Sequence, residues 1–273
     1  MPSHDELKAR ATVAYNAAAD AYDAPENTFW DRFGARTVER LALRPGSRVL
    51  DVCSGSGASA IPAAHAVGPT GQVIAVDLAA NLLARLRAKG ERLGLTQLEA
   101  RTGDLLDPPL DHAAAFDAVV CVFGIFFVAD MAEAIRRLWT RVAPGGQLAI
   151  TTWGPRVFEP VNTAFWEAVR AERPDLHKGF NPWDAITTAE SLRALLDAAS
   201  VSEADIVAES GMHPIGSADA AWALVLGTGY RGTFEQLAPD ARGRVEARVR
   251  AFATTSAVSS VETNVVYAVA RRR

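Results

Sequence analysis

Three aspartates carry the most legible chemistry in the sequence. Asp51, Asp77 and Asp104 each stand at the end of a short strand-like run: Arg48 to Leu50, Gln72 to Val76, and Leu98 to Gly103. Asp51 leads directly into Cys53-Ser54-Gly55-Ser56-Gly57, a loop of small residues, and residues 58–67 after it read as a helix. A strand, a glycine loop and a helix bring backbone close to a ligand and aim a helix N-terminus at it. A side chain would block that approach, and glycine tolerates positive φ, so Gly55 and Gly57 suit the geometry. Gly55-x-Gly57-x-x-Ala60 formally satisfies the dinucleotide fingerprint, with Asp77 about 20 residues on, where a ribose-binding acid is expected. A nicotinamide-dependent oxidoreductase is therefore one chemistry the pattern allows. Asp51 argues against it, because such enzymes leave that position apolar. No Lys-Ser/Thr pair follows the loop, so it is not a triphosphate-binding loop.

The elements that must position these residues follow from periodicity. Residues 4–23 repeat Leu7, Ala11, Ala14, Tyr15, Ala18 and Tyr22 at helical spacing, and Thr28 to Leu43 sets Phe29, Trp30, Phe33, Val38 and Leu41 on one side. After Pro45-Gly46 come strands at 48–52, 72–77, 98–102, 116–122 and 147–152, alternating with helices at 58–67, 78–90 and 130–142. Alternating apolar strands and helices predict a parallel sheet covered on both faces, with ligands beyond the strand C-termini. Asp51, Asp77, Asp104 and Phe123-Gly124 all fall on that edge. Beyond it, helices are expected within 155–172 and at 188–199, and strands at 204–208 and 263–270. The roughly 50 residues between those two strands are too long for a simple connection and carry two helical stretches. We therefore expect one domain over 1–273: an N-terminal helical cap at 1–45, a cofactor-binding core at 46–153, and a C-terminal half at 154–273 with a helical lid at about 211–260.

Composition narrows the class. The chain has 273 residues, 49% hydrophobic and 22% charged, which suits a globular protein with a large core. The formal net charge is −4 and no basic stripe is present, so a nucleic-acid partner is not expected; Arg271-Arg272-Arg273 reads as a solvated end. No apolar run is long enough for a membrane helix, and residues 1–10 lack a signal-peptide core. Cys53 and Cys121 make no disulfide framework and read as small fillers. The expected location is cytoplasmic, and the expected state a monomer or homodimer.

In this order, the motifs resemble class I S-adenosylmethionine-dependent methyltransferases over about residues 10–210. Val49-Leu50-Asp51-Val52-Cys53-Ser54-Gly55-Ser56-Gly57 is similar to the first motif of that family, with Cys53 in place of its usual Gly. Val76-Asp77-Leu78 resembles the second, Gly103-Asp104-Leu105 the adenine-binding motif, and Ala143-Pro144-Gly145-Gly146 the turn before the fifth strand. Phe116-Asp117-Ala118-Val119 with Phe123 to Asp130 resembles the quinone-biosynthesis (ubiquinone and menaquinone) methyltransferases, which carry Arg-Asn where this chain has Phe126-Phe127. The resemblance implies a doubly wound, Rossmann-like α/β fold with a seven-stranded mixed sheet. It also implies S-adenosylmethionine as cofactor and S-adenosylhomocysteine as product. Backbone around Cys53, Ser54, Gly55 and Gly57 would hold the amino acid end, with Asp51 near the ammonium. Asp77 would accept both ribose hydroxyls. Asp104 would accept from the adenine amine, with Leu78 and Leu105 against the ring; Gly103, Val122 and Phe123 complete the expected set.

Methyl transfer needs alignment and exclusion of water, in an apolar surround whose ring faces tolerate a cation. Tyr15, Trp30, Phe126, Phe127 and Trp153 are the expected substrate-facing residues. A general base is needed only for a protonated nucleophile. His213 is the first candidate, His177 the second, and Tyr22 could orient substrate; His65 is expected to pack against the sheet. No histidine–carboxylate cluster has metal-ligand spacing, and no metal is expected. The expected acceptor is a small apolar or aromatic molecule, methylated on carbon, oxygen or nitrogen. The alternatives are the oxidoreductase above and a scaffold or sensor that binds S-adenosylmethionine without transferring its methyl.

Overall fold

The computed structural model describes residues 4–111 and 115–273. Its strands are β1 (Arg48–Val52), β2 (Gln72–Asp77), β3 (Leu98–Thr102), β4 (Phe116–Val122), β5 (Val142–Trp153), β6 (Ala204–Glu209), β7 (Met212–Pro214), β8 (Ser260–Glu262) and β9 (Val265–Arg271). Its helices are α1 (His4–Tyr22), α2 (Phe29–Leu41), α3 (Ala60–Val67), α4 (Ala80–Arg92), α5 (Met131–Thr140), α6 (Val161–Glu172), α7 (Ala189–Ala198), α8 (Ala218–Leu226), α9 (Arg231–Phe234) and α10 (Pro239–Thr255).

Seven strands form one sheet in the order β3-β2-β1-β4-β5-β9-β6. The first five are parallel, and β9 runs antiparallel between β5 and β6. This is the doubly wound, seven-stranded mixed sheet that the resemblance implies. The chain turns outward in both directions from β1 and β4, so a crevice opens beyond their C-termini, where such sheets bind ligands. β1, β2 and β4 are buried along nearly their whole length because helices cover both faces. Leu82, Leu83 and Leu86 of α4 and Ile135 and Leu138 of α5 are sealed into that core.

Several boundaries differ from expectation. β5 starts at Val142, not 147, because Phe116 already pairs with Val142 ahead of an irregularity in the ladder. A second, two-stranded sheet pairs β7 with β8. Three residues per strand leave too little pattern to read from sequence. This pair brackets α8, α9 and α10, and α8 and α9 pack against α1. His65 is exposed: the buried face of α3 is Ala60, Ala63, Ala64 and Val67, and position 65 turns away from it. No helix among the described residues is long and apolar enough to cross a membrane.

α2 is held hard against the loop leading into α3. A Cβ on Gly34 would stand 2.2 Å from the Ala58 carbonyl oxygen and 2.7 Å from the Ser59 nitrogen. In an ordinary helix interior, replacing glycine by alanine gains about 1 kcal/mol. Here Gly34→Ala should instead cost about 1–3 kcal/mol through overpacking against backbone. Urea unfolding measures it, and a variant more stable than wild type would refute the close approach.

Candidate active site

The crevice is a cavity of about 710 Å³, its open mouth included. Its floor is the C-terminal edge of the sheet. Cys53 and Gly55 line it from the loop after β1, and Asp77 and Leu78 from the end of β2. Gly103, Asp104 and Leu105 line it beyond β3, and Val122 and Phe123 at the end of β4. The strand-end residues expected at the site are thus brought together from four strands. α1 forms the roof, with His4, Lys8, Ala11, Thr12, Tyr15 and Tyr22.

The floor is built from strained backbone. Cys53 and Phe123, at the ends of adjacent strands, have φ of 56° and 53°, the left-handed region that side-chain-bearing residues avoid. A Cβ on Gly124 would lie 2.3 Å from the Cys53 Cβ, so only glycine lets the two loops close on each other. Gly57, with φ of 99°, turns the first loop into α3, and Leu86 fills the space a side chain would need.

The three aspartates occupy distinct environments. Asp77 accepts the Gly55 N–H at 2.8 Å on one oxygen and the Ala79 N–H at 2.7 Å on the other, so it holds the loop in place. Each oxygen keeps a lone pair for a hydroxyl donor. Burial pushes its pKa up against those N–H bonds. Asp104 accepts the Leu106 N–H and faces two groups of α1, His4 Nε2 at 3.0 Å and Lys8 Nζ at 3.1 Å. Burial opposes ionisation there, but those partners outweigh it and hold Asp104 below the ordinary range. Asp51 does not line the cavity. It is fully buried beneath the loop, where the Ser59 hydroxyl donates to Oδ2 at 2.7 Å and Oδ1 has no partner. Burial, eased by Ser59 and reinforced by the Asp77 charge, lifts its pKa to about 7. The unmet Asp51 Oδ1, beneath the loop, is an acceptor that suits an ammonium group, and the remaining Asp77 lone pairs suit a diol; the Ser54, Gly55 and Gly57 N–H groups already donate to the Val76 carbonyl, Asp77 and the Ser54 carbonyl.

A second chamber of about 550 Å³, its opening included, shares Tyr15, Trp30 and Phe127 with the first as a common wall. Trp153, Phe158, Trp166, Trp183 and Tyr230 complete its aromatic lining, with Lys178, Asn181 and Thr228 as its polar groups. Tyr22 lies flat on Trp30, ring centroids 4.8 Å apart and planes 6° apart, and Phe123 stacks on Trp153 at 3.8 Å. Burial pushes the Tyr15, Tyr22 and Tyr230 phenols well above their ordinary value, so they are hydrogen-bond donors rather than bases.

Of the remaining expected residues, Ser54 and Gly57 sit in the loop but outside the lining, and Ser54 Oγ is buried without a partner. Phe126 lines neither cavity. Residues 125–127 form a single 3-10 turn, which sends Phe126 inward against Trp183 at 5.4 Å and leaves Phe127 on the common wall. His213 lies outside both cavities. It is buried in β7, its Nε2–H donates to the Glu26 carbonyl at 2.6 Å, and its ring stands edge-on to Phe29. Burial lowers its pKa, so it serves as a neutral tether between the β7–β8 pair and the N-terminal segment. His177 contacts Trp166 from outside the lining. Among the described residues no cluster of His, Cys, Asp or Glu could hold a metal ion. Sequence reasoning missed His4 and Lys8, which reach Asp104 from 100 and 96 residues away, and the stretch from Lys178 to Trp183 with Thr228 and Tyr230. The one available signal was the density of tryptophan and proline at 182–183.

Comparisons with known proteins bear on the fold and the family. Residues 49–146 match the methyltransferase domain family. The chain is 37% identical over 144 residues to a demethylmenaquinone methyltransferase of Bacillus cytotoxicus, covering 51% of this chain and 60% of that protein. It is 29% identical over 252 residues to the nocamycin O-methyltransferase of Saccharothrix syringae, covering 87% and 88%. A solved phosphoethanolamine N-methyltransferase 2 of Haemonchus contortus, in complex with phosphomonomethylethanolamine and S-adenosylhomocysteine, superposes with a TM-score of 0.57. It is 16% identical and is covered over 60% of its length by all of this chain.

Asp51 gives the site a pH signature. Its folded pKa, about 7, exceeds the ordinary 3.8, so its contribution to stability is complete below 3.8 and is lost as pH rises through 7. Asp51→Asn keeps the shape and removes the titration. Across that window unfolding free energy should shift steadily in favour of the variant, as read by denaturant midpoints. Parallel curves for the two proteins would contradict the buried, half-partnered carboxylate.

Proposed function

We propose, from the premise that this chain belongs to the class I S-adenosylmethionine-dependent methyltransferases and is related to the quinone methyltransferases, that it methylates a small apolar or aromatic molecule. The observation that carries this reading is the common wall. A cavity with carboxylate acceptors for a diol and an amino group, set above the half-met Asp51, abuts an aromatic chamber across Tyr15, Trp30 and Phe127. When bound, S-adenosylmethionine supplies an activated methyl on a positively charged sulfur. Asp77 would hold the ribose hydroxyls, the Cys53–Gly57 loop over Asp51 the amino acid end, and Asp104 with Leu78 and Leu105 the adenine. The aromatic wall excludes water and offers ring faces to a cation.

The chamber lining contains no carboxylate and no imidazole among the described residues. The chain's contribution is then positioning and desolvation rather than proton removal at the acceptor. Tyr22, stacked on Trp30, orients that wall. The N-terminal cap and the 211–260 lid belong to the same proposal, supported by the packing of α1 on α8 and α9. So do a cytoplasmic location and a monomeric or homodimeric state without a nucleic-acid partner. The net charge of −4 supports the absence of nucleic acid.

Calorimetric titration with S-adenosylhomocysteine, with NAD(H) and NADP(H) run alongside, tests the reading. The thioether alone should bind. Asp77→Ala should weaken it by about 1.5–3 kcal/mol, roughly ten- to a hundredfold. An unchanged affinity would remove Asp77 from the site, and binding of a nicotinamide nucleotide alone would overturn the proposal.

A further inference from the structure

The aromatic chamber has a polarity that its apolar walls do not explain. Lys178 lies in its lining and not in that of the cofactor cavity, and its Nζ stands 5.8 Å from the centroid of the Trp166 ring. Arg10 of α1 is near enough to act on it electrostatically. Neither cation has a carboxylate within ion-pair distance among the described residues. The nearby acids are spent elsewhere. Asp184 accepts the Asn181 N–H at 2.7 Å, and Glu159 accepts from Asn162 Nδ2 at 2.8 Å and from the Thr163 hydroxyl at 2.9 Å. Lys178 and Arg10 are both exposed to solvent at the mouth of the chamber; the protein beside the Lys178 amine, and the Arg10 charge after it, lower its pKa.

Two further polar groups of the same lining lack partners. The Trp166 indole N–H, a donor with no acceptor capacity, and the Thr228 hydroxyl are both buried and unpaired, while the neighbouring Tyr230 hydroxyl is satisfied by Asn162 Oδ1 at 2.7 Å. Leaving such groups unpaired costs stability, but both atoms are sealed from solvent behind the lining, so the Lys178 ammonium is the donor open to an occupant. The surrounding surface is flat aromatic ring. A planar molecule bearing anionic oxygen satisfies both features.

Resting on the methyltransferase reading, we propose that the Tyr15–Trp30–Phe127 chamber takes a planar, conjugated acceptor carrying an ionised oxygen acid, a carboxylate or an acidic enol or phenol, anchored by Lys178 at a point outside the cofactor cavity. Lys178 is then a specificity residue. It selects and fixes the acceptor by its charge and takes no proton from it. An acceptor already ionised at neutral pH also matches a chamber that lacks a carboxylate or imidazole base.

The test uses 2-naphthoate and its neutral isostere 2-naphthamide as probes, titrated into the full chain saturated with S-adenosylhomocysteine so that the cofactor cavity is closed to them. The acid should bind at least about tenfold more tightly than the amide, the worth of a charge-assisted contact. Lys178→Gln should erase the difference while leaving the affinity for S-adenosylhomocysteine unchanged, and Lys178→Arg should retain most of it. Equal affinity for acid and amide in the wild type, no binding of the acid, or full discrimination in Lys178→Gln each overturns the anchor while the methyltransferase reading stands. Failure of S-adenosylhomocysteine itself to bind overturns that reading instead.

Discussion

The closeness of two loops at the centre of the sheet governs the site. β1 and β4 are neighbours, and the chain leaves them for opposite sides, so the segments after them meet at their C-termini. Cys53 and Phe123 adopt left-handed backbone there, and Gly124 alone permits the contact. That meeting sets where the Gly55 N–H points, and Asp77 fixes it from the next strand. It also turns Phe123 back onto Trp153 at the end of β5, which carries the aromatic wall from the first cavity into the second chamber. Strain of this kind costs about 1–3 kcal/mol per residue and persists only where the surroundings over-determine it. Here β1 and β4, buried along nearly their whole length, do so.

The helices outside the sheet serve this constraint. α1 lies over the crevice and touches Asp104 through His4 and Lys8, α2 is pressed on the loop into α3, and the 211–260 stretch packs on α1 through α8 and α9. Both ends of the chain therefore bear on one pair of cavities. The Asp104 pairing with α1 ties the roof to the end of β3, so the residue proposed to read the cofactor also holds the element that covers it.

Much of this was legible in the sequence, and the reason is local. Asp51, Asp77, Asp104 and Phe123-Gly124 each sit next to a strand whose apolar run announces itself, and parallel topology forces such ends onto one edge. The parallel arrangement of β1 to β5, and the edge on which those residues meet, followed from those runs. What could not be read depends on contacts between distant segments. Nothing near His213 marks it as a tether to Glu26, 187 residues away. Nothing near Lys178 says that it faces Trp166 without a counter-ion. His65 was misplaced because an eight-residue, alanine-rich helix has a weak apolar stripe, and Phe126 because a 3-10 turn sends it inward while Phe127 stays on the common wall.

The central claim is that one aromatic wall separates cofactor from acceptor. A crystal structure of the full chain with S-adenosylhomocysteine tests it most directly. The account predicts the ligand in the cavity of Cys53, Gly55, Asp77 and Asp104, its ribose on Asp77 and its sulfur turned toward Tyr15, Trp30 and Phe127. A ligand seated in the Trp166–Tyr230 chamber, or one whose sulfur points away from that wall, would contradict it.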